Sequence, residues 1–208
     1  MITTALSVII FLVSMQGFQN YNFFEKFKHS PYLVYHNKEY YRLLTSGFLH
    51  GSWGHLLVNL LVFWQYGSFV EENIFLGLFG RGIGDVLYIL LFILSIIAAN
   101  LHSTYRFRNS YNYASIGASG AVSAILFSYL LVNPWSKLYL YFVIPIYTIV
   151  AAVIYLIYSQ WASRNSNDHI DHSAHFYGAV FGFLFTIAVK PSIFLYFIDR
   201  LINDFPLK

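Results

Sequence analysis

The chain contains no cysteine, and only 10% of its 208 residues are charged. The missing thiols exclude disulfides, thiolate metal sites and a cysteine nucleophile. A soluble domain usually carries about 25% charged residues. The scarcity of charge therefore points to a chain whose solvent is lipid. The formal net charge is only +3 and the basic residues are dispersed, which argues against a nucleic-acid surface. Repeats, low-complexity linkers and an appended soluble module are also lacking.

Hydrophobic side chains make up 58% of the chain, aromatics 21%, and the mean hydropathy is +0.57. Crossing roughly 30 Å of hydrocarbon takes about 20 apolar residues in a helix. Six segments approach that length: Ile2–Phe18, Gly54–Val70, Gly82–Ala99, Gly117–Val132, Leu138–Tyr158 and His172–Val189. The first has no basic start and no small-residue cleavage site, so a retained helix is expected. The expected fold is all-α, a polytopic membrane bundle of six transmembrane helices over residues 1–190. Residues 191–208 form an amphipathic tail, with Phe194, Phe197, Leu201 and Phe205 on one face. That tail either lies in the membrane interface or packs against the bundle. The long first connection, Gln19–Trp53, is rich in aromatics and is expected to sit partly in the interface.

Polar groups inside these segments carry the chemistry. The second, fourth and sixth segments run in one direction. His55 precedes Glu71 by 16 residues, Ser119 precedes Pro134 by 15, and His175 precedes Lys190 by 15. At 1.5 Å per residue all three side chains stand roughly 23 Å from one face. Ionisable groups at such depth face a bundle interior or a wet cavity. Gly117, Ala118, Gly120, Ala121 and Ala124 let a neighbouring helix approach, and Gly178 and Gly182 form a matching small face below His175. Contact between the fourth and sixth segments would bring a hydroxyl to an imidazole, the pairing that nucleophilic acyl transfer requires. The Ser119 backbone N–H, His55 and Asn59 are candidate donors for the oxyanion so formed. No convincing third acid is found. Asp171 lies one turn before His175, where it suits a helix cap, and Asp85 suits the same role at the third segment.

Together these residues resemble the rhomboid intramembrane serine proteases, over nearly the whole chain. The family's glycine-x-serine-glycine motif is matched by Gly117-Ala118-Ser119-Gly120. Its sixth-helix histidine with following glycines is matched by His175, Gly178 and Gly182. Its histidine-x-x-x-asparagine of the second helix is matched by His55 and Asn59, and an upstream loop histidine by His50. The resemblance implies a Ser119–His175 dyad without an aspartate, and an oxyanion site including His55 and Asn59, with Gly117 beside it. His50, Arg42, Gly178 and Gly182 would be structural supports. It further implies a multi-pass protein, expected in the cell membrane, that cleaves transmembrane protein substrates among membrane lipids with no cofactor and no metal.

Two positions depart from the family. Its tryptophan-arginine pair in the first loop is Tyr41-Arg42 here. An aromatic that often stacks on the family's histidine, four residues after the serine, is Ser123 here, leaving that role to another ring such as Tyr177 or Phe127. The resemblance makes the fifth segment, with Phe142, Tyr147 and Tyr155, a candidate for the lateral gate, though no residue in it proves motion. Competing readings are a metal-dependent membrane hydrolase using His169, His172 and His175 with His50 and His55, and a non-catalytic rhomboid-like scaffold for transmembrane clients.

Overall fold

A computed structural model of the chain describes residues 1–140, 143–165 and 171–206. The protein is mostly helical. Helix α1 (Ile2–Gln19) leads into three short helices, α2 (Tyr21–Phe27), α3 (Pro31–His36) and α4 (Arg42–Thr45). Helix α5 (Trp53–Phe69) continues through wide π-type turns (Val70–Leu76) into the single turn α6 (Gly77–Phe79). Helices α7 (Ile83–Arg106) and α8 (Ser119–Leu130) follow. A hairpin of β1 (Lys137–Leu140) and β2 (Ile144–Tyr147) then precedes α9 (Thr148–Asn165), α10 (His172–Val189) and α11 (Ser192–Asn203).

Local chemistry sets most of these boundaries. Asn20 caps α2 by accepting from the Phe23 amide, and Ser30 caps α3 with Pro31 in the first turn. Ser52 accepts from the His55 amide at the start of α5. Asp85 reaches back to the Gly82 amide at 2.9 Å and closes the start of α7. Gly80 and Gly82, at φ 72° and 86°, make the reversal before it. Glu71 is buried and caps a different helix: its carboxylate accepts from the amides of Ile2 and Thr3 at 2.7 and 2.8 Å. An anion there also suits the positive end of α1.

Helix α10 lies centrally, packed on α8, α7 and α9. Small residues set its distance from α8: a Cβ added at Gly178 would collide with the Gly120 backbone, and one at Gly182 with that of Ala124. Leu56, Phe63, Leu91, Phe92, Ile96 and Ile125 fill the core alongside.

Two expectations are corrected. The fifth segment is not helical from Leu138. Its first half is an antiparallel hairpin pairing Lys137 with Tyr147 and Tyr139 with Pro145, while Phe142 lies outside the described residues. Pro145 has no amide donor and would clash inside a helix, whereas a two-stranded ribbon tolerates it at an edge. The helix starts only at Thr148, whose amide donates to the Ser136 carbonyl at 2.9 Å. The fold is therefore not purely α. Among the described residues, α1, α7 and α10 are long and apolar enough to cross a membrane; α8 is shorter, at 12 residues.

The tail, α11, packs against the bundle. Ile193 and Phe197 are buried, and the Trp135 indole donates to the carbonyls of Arg200 and Leu201. Leu195 and Ile202 stay exposed on its outer side.

Candidate active site

Ser119 opens α8 and His175 lies one turn inside α10, so each projects from the start of its helix. Close packing of those two helices brings Ser119 Oγ and His175 Nε2 to 2.8 Å, a hydrogen-bond distance. Both side chains are half-buried. They line a cavity of ≈ 330 Å³ whose other walls include Gly51, His55, Ala99, Ile116, Gly117 and Ala174. Phe24 of α2 and Lys28, which follows it, also line the cavity. The space is large enough for several waters, and Ser119, His55 and His175 offer them polar partners.

Gly117 requires its identity twice. Its φ of 120° is rarely adopted by L side chains, and an added Cβ would lie 2.8 Å from His55 Cε1 and 2.9 Å from His55 Nε2. The same point is 3.7 Å from Ser119 Oγ. Glycine thus keeps open the gap between the His55 ring and the serine. The first amides of α8 have no carbonyl of their own helix to bond, and the partial positive charge at this end favours an anion.

His50 braces the backbone that precedes Ser119. The Ala118 amide donates to His50 Nε2 at 3.5 Å, so Nδ1 carries the proton and donates to Ser14 Oγ at 2.8 Å. Ser14 in turn donates to the Phe48 carbonyl at 2.8 Å. The Gly117 amide donates to the Ser46 carbonyl at 2.9 Å, a second tie to the same turn. Burial, with a smaller contribution from His55, pulls the His50 pKa down to about 3, so the ring stays neutral.

Other sequence candidates lie further out. Asn59 is buried one turn along α5 from His55, and its amide donates to the His55 carbonyl at 2.9 Å. Its side chain is thus bonded to its own helix, and it is not among the residues that line the cavity. Arg42 is buried and ties the first connection together: Nε donates to Glu39 at 2.6 Å, and Nη1 to the carbonyls of Glu25 and Lys28 at 2.9 Å each. Asp171 caps α10 by accepting from the Ala174 amide at 3.0 Å, and also accepts from Ser173 and Ser103 at 2.6 and 2.7 Å. Burial alone would raise its pKa, but these hydrogen bonds together hold it below the ordinary carboxylate value.

His169 lies outside the described residues, and His50 spends both ring nitrogens on Ser14 and Ala118. Among the described residues no group of three His, Asp or Glu side chains is placed to hold an ion.

The aromatic neighbour of His175 is one that the sequence did not single out for this role. Tyr177 stacks instead on His102, with centroids 4.5 Å apart, and Phe127 packs against Tyr155. Tyr155 of α9 lies near-parallel to His175, at 17° and 6.1 Å between centroids. Its hydroxyl pairs with Ser123 Oγ at 2.5 Å. The departure at position 123 was itself the signal: a small polar side chain there leaves room and a partner for a ring from elsewhere.

A small-residue helix contact, with a serine–histidine pair at one end of it lining a partly polar cavity, defines a helical membrane protein. Comparison with known proteins gives the class its family. A family model described as Rhomboid domain matches residues 37–192, and the chain belongs to the rhomboid family. It is 27% identical over 143 residues to the RHOMBOID-like protein 12, mitochondrial, of Arabidopsis thaliana. That match covers 66% of this chain and 43% of the relative, so the chain spans less than half of the relative's length. The protein is an integral membrane protein.

Proposed function

We propose that the protein is an intramembrane serine endopeptidase acting on transmembrane proteins through Ser119 and His175. The observation that carries this reading is the 2.8 Å contact between Ser119 Oγ and His175 Nε2 inside a cavity lined by His55 and Gly117. The membrane unit consists of six crossing helices, α1, α5, α7, α8, α9 and α10. The short α8 starts below the surface and leaves room above Ser119 for water.

In the reaction, neutral His175 accepts the Ser119 proton at Nε2 as Oγ bonds to the scissile carbonyl carbon. The carbonyl π electrons move to oxygen. The resulting anion is held by the Ser119 amide, the α8 N-terminus and the His55 ring across Gly117. Collapse breaks the C–N bond, and the proton passes from His175 to the leaving amine. Water then attacks the acyl-serine and His175 takes its proton; collapse breaks the bond between Oγ and the acyl carbon, the proton returns from His175 to Ser119 Oγ, and the second product leaves as a carboxylic acid. The cycle consumes one water and leaves the enzyme unchanged. Substrate helices must unwind locally to present a peptide bond, which favours glycine, proline or small residues near the cut.

The test compares the purified wild type with Ser119→Ala and His175→Ala on a transmembrane reporter. The reading requires cleavage by the wild type only. Cleavage by folded Ser119→Ala overturns it. Inhibition by chelators with recovery on adding zinc would establish the metal reading in its place.

A further inference from the structure

We infer that Tyr155 is a positioning residue for the Ser119–His175 pair, and that it makes their alignment depend on the seating of α9. The inference rests on the peptidase reading above.

A closed circuit of contacts joins three helices. Ser123 lies one turn below Ser119 on α8 and donates its hydroxyl proton to the Ser119 carbonyl at 2.7 Å. A serine hydroxyl has a single proton, so the 2.5 Å bond to Tyr155 has the tyrosine as donor. The Tyr155 ring then lies across His175 at 6.1 Å and 17°, within the range of offset stacking. His175 Nε2 closes the circuit at Ser119 Oγ. One side chain from α9 therefore contacts both helices that bear the pair. Its ring limits rotation of the imidazole, and its hydroxyl fixes the ring.

The rest of the surroundings reinforce that role. Phe127 of α8 packs at 6.3 Å behind the Tyr155 ring, and His172 stands edge-on to His175 at 5.7 Å. On its other side Tyr155 borders an apolar cavity of ≈ 300 Å³ walled by Leu126, Phe127, Leu138, Ile146 and Ala152. Helix α9 has Val153, Ile154, Ile157 and Trp161 exposed on its outer side. Its inner side rests on α10 and α8. A displacement of α9 outward would break the Tyr155–Ser123 bond and release the imidazole together. Alignment of the pair and closure of this side of the bundle are thus one event.

The experiment measures the second-order rate of Ser119 labelling by a small fluorophosphonate in the purified full chain, beside thermal unfolding and reporter kinetics. The small probe does not require a substrate helix to pass α9. Tyr155→Leu is expected to lower the labelling rate about tenfold, the scale of one lost aromatic contact. On the reporter it should lower kcat with KM unchanged, the split expected when alignment fails and binding survives. Tyr155→Phe keeps the ring and should lose only about threefold, and adding it to Ser123→Ala should cost nothing further, because Ser123→Ala has already removed the same bond along with the one to the Ser119 carbonyl. If Tyr155→Leu does not fold, that non-additive pair decides. Labelling of folded Tyr155→Leu at the wild-type rate overturns the inference, as do additive defects in the pair. A wild type that is never labelled at Ser119 defeats the peptidase reading itself, a result distinguishable from either.

Discussion

The rings of His50 and His55 meet edge to face, with centroids 4.8 Å apart and planes at 71°. His50 accepts from the Ala118 amide, and His55 lies against Gly117, the two residues that precede the serine. The histidines thus have different tasks: one holds the backbone, the other faces the reacting space. His55→Ala should lower kcat about a hundredfold without loss of thermal stability, the scale of one lost oxyanion donor. Asn59→Ala should cost less activity, because its amide is bonded to the His55 carbonyl. Reporter kinetics and melting on both variants check the ranking.

Gly117→Ala introduces a methyl group where the His55 ring stands 2.8 Å away, on a backbone at φ 120°. Activity should fall by about a hundredfold or more as the gap to the oxyanion donors closes. Melting should fall as well, since an L side chain is strained at this φ, so activity is compared per folded molecule. Equal activity in wild type and variant would contradict the role given to this gap.

Gly178→Val pushes a side chain into the Gly120 backbone, where neither helix can yield without moving. The expected cost is about 1–3 kcal/mol or more of stability. Even a folded fraction should lose Ser119 labelling, because the same displacement parts the serine from the histidine. Calorimetry and labelling on one sample separate the two effects.

Acid should destabilise the protein well above the carboxylate range. His29 lies between α2 and α3, where its ring bonds Ser115 and Thr104, each at 2.8 Å. Burial, opposed by Asp171 and aided by Arg42, lowers its pKa from 6.5 to about 4. His50 is lowered further, to about 3. Below pH 6.5 the unfolded chain takes up protons that the folded chain refuses. Stability is therefore full above 6.5 and falls as pH drops toward 4, at up to about 1.4 kcal/mol per pH unit for each ring. Melting temperatures at pH 7.5 and pH 5 test this, and His29→Gln should flatten part of the slope. Asp171, held below its ordinary value, acts only at lower pH: its contribution is present above about 4 and is lost below.

The serine and histidine motifs are readable in the sequence because each depends on short-range pattern. Small residues on either side of Ser119 and below His175 announce a close helix contact by their size and spacing alone. The sixth segment has its expected limits, His172–Val189, because Asp171 caps it and Pro191 follows its end. Hydropathy misjudged the fifth segment: Leu138–Tyr147 is as apolar as a spanning helix, but Pro145 and the register of two short strands decide its form. Tyr155 was unreadable as the neighbour of His175, since its place depends on a bond to Ser123, 32 residues away. Nor does spacing reveal that Glu71 caps a helix 68 residues upstream.

The most direct measurement is the intact mass of the purified protein after brief exposure to a fluorophosphonate, with peptide mapping of the adduct. The account predicts one adduct per chain, on Ser119, formed by the wild type and at least a hundredfold more slowly by His175→Ala, the order of a general base's contribution. An adduct on another residue, or labelling of Ser119 that continues at full rate without His175, would contradict it.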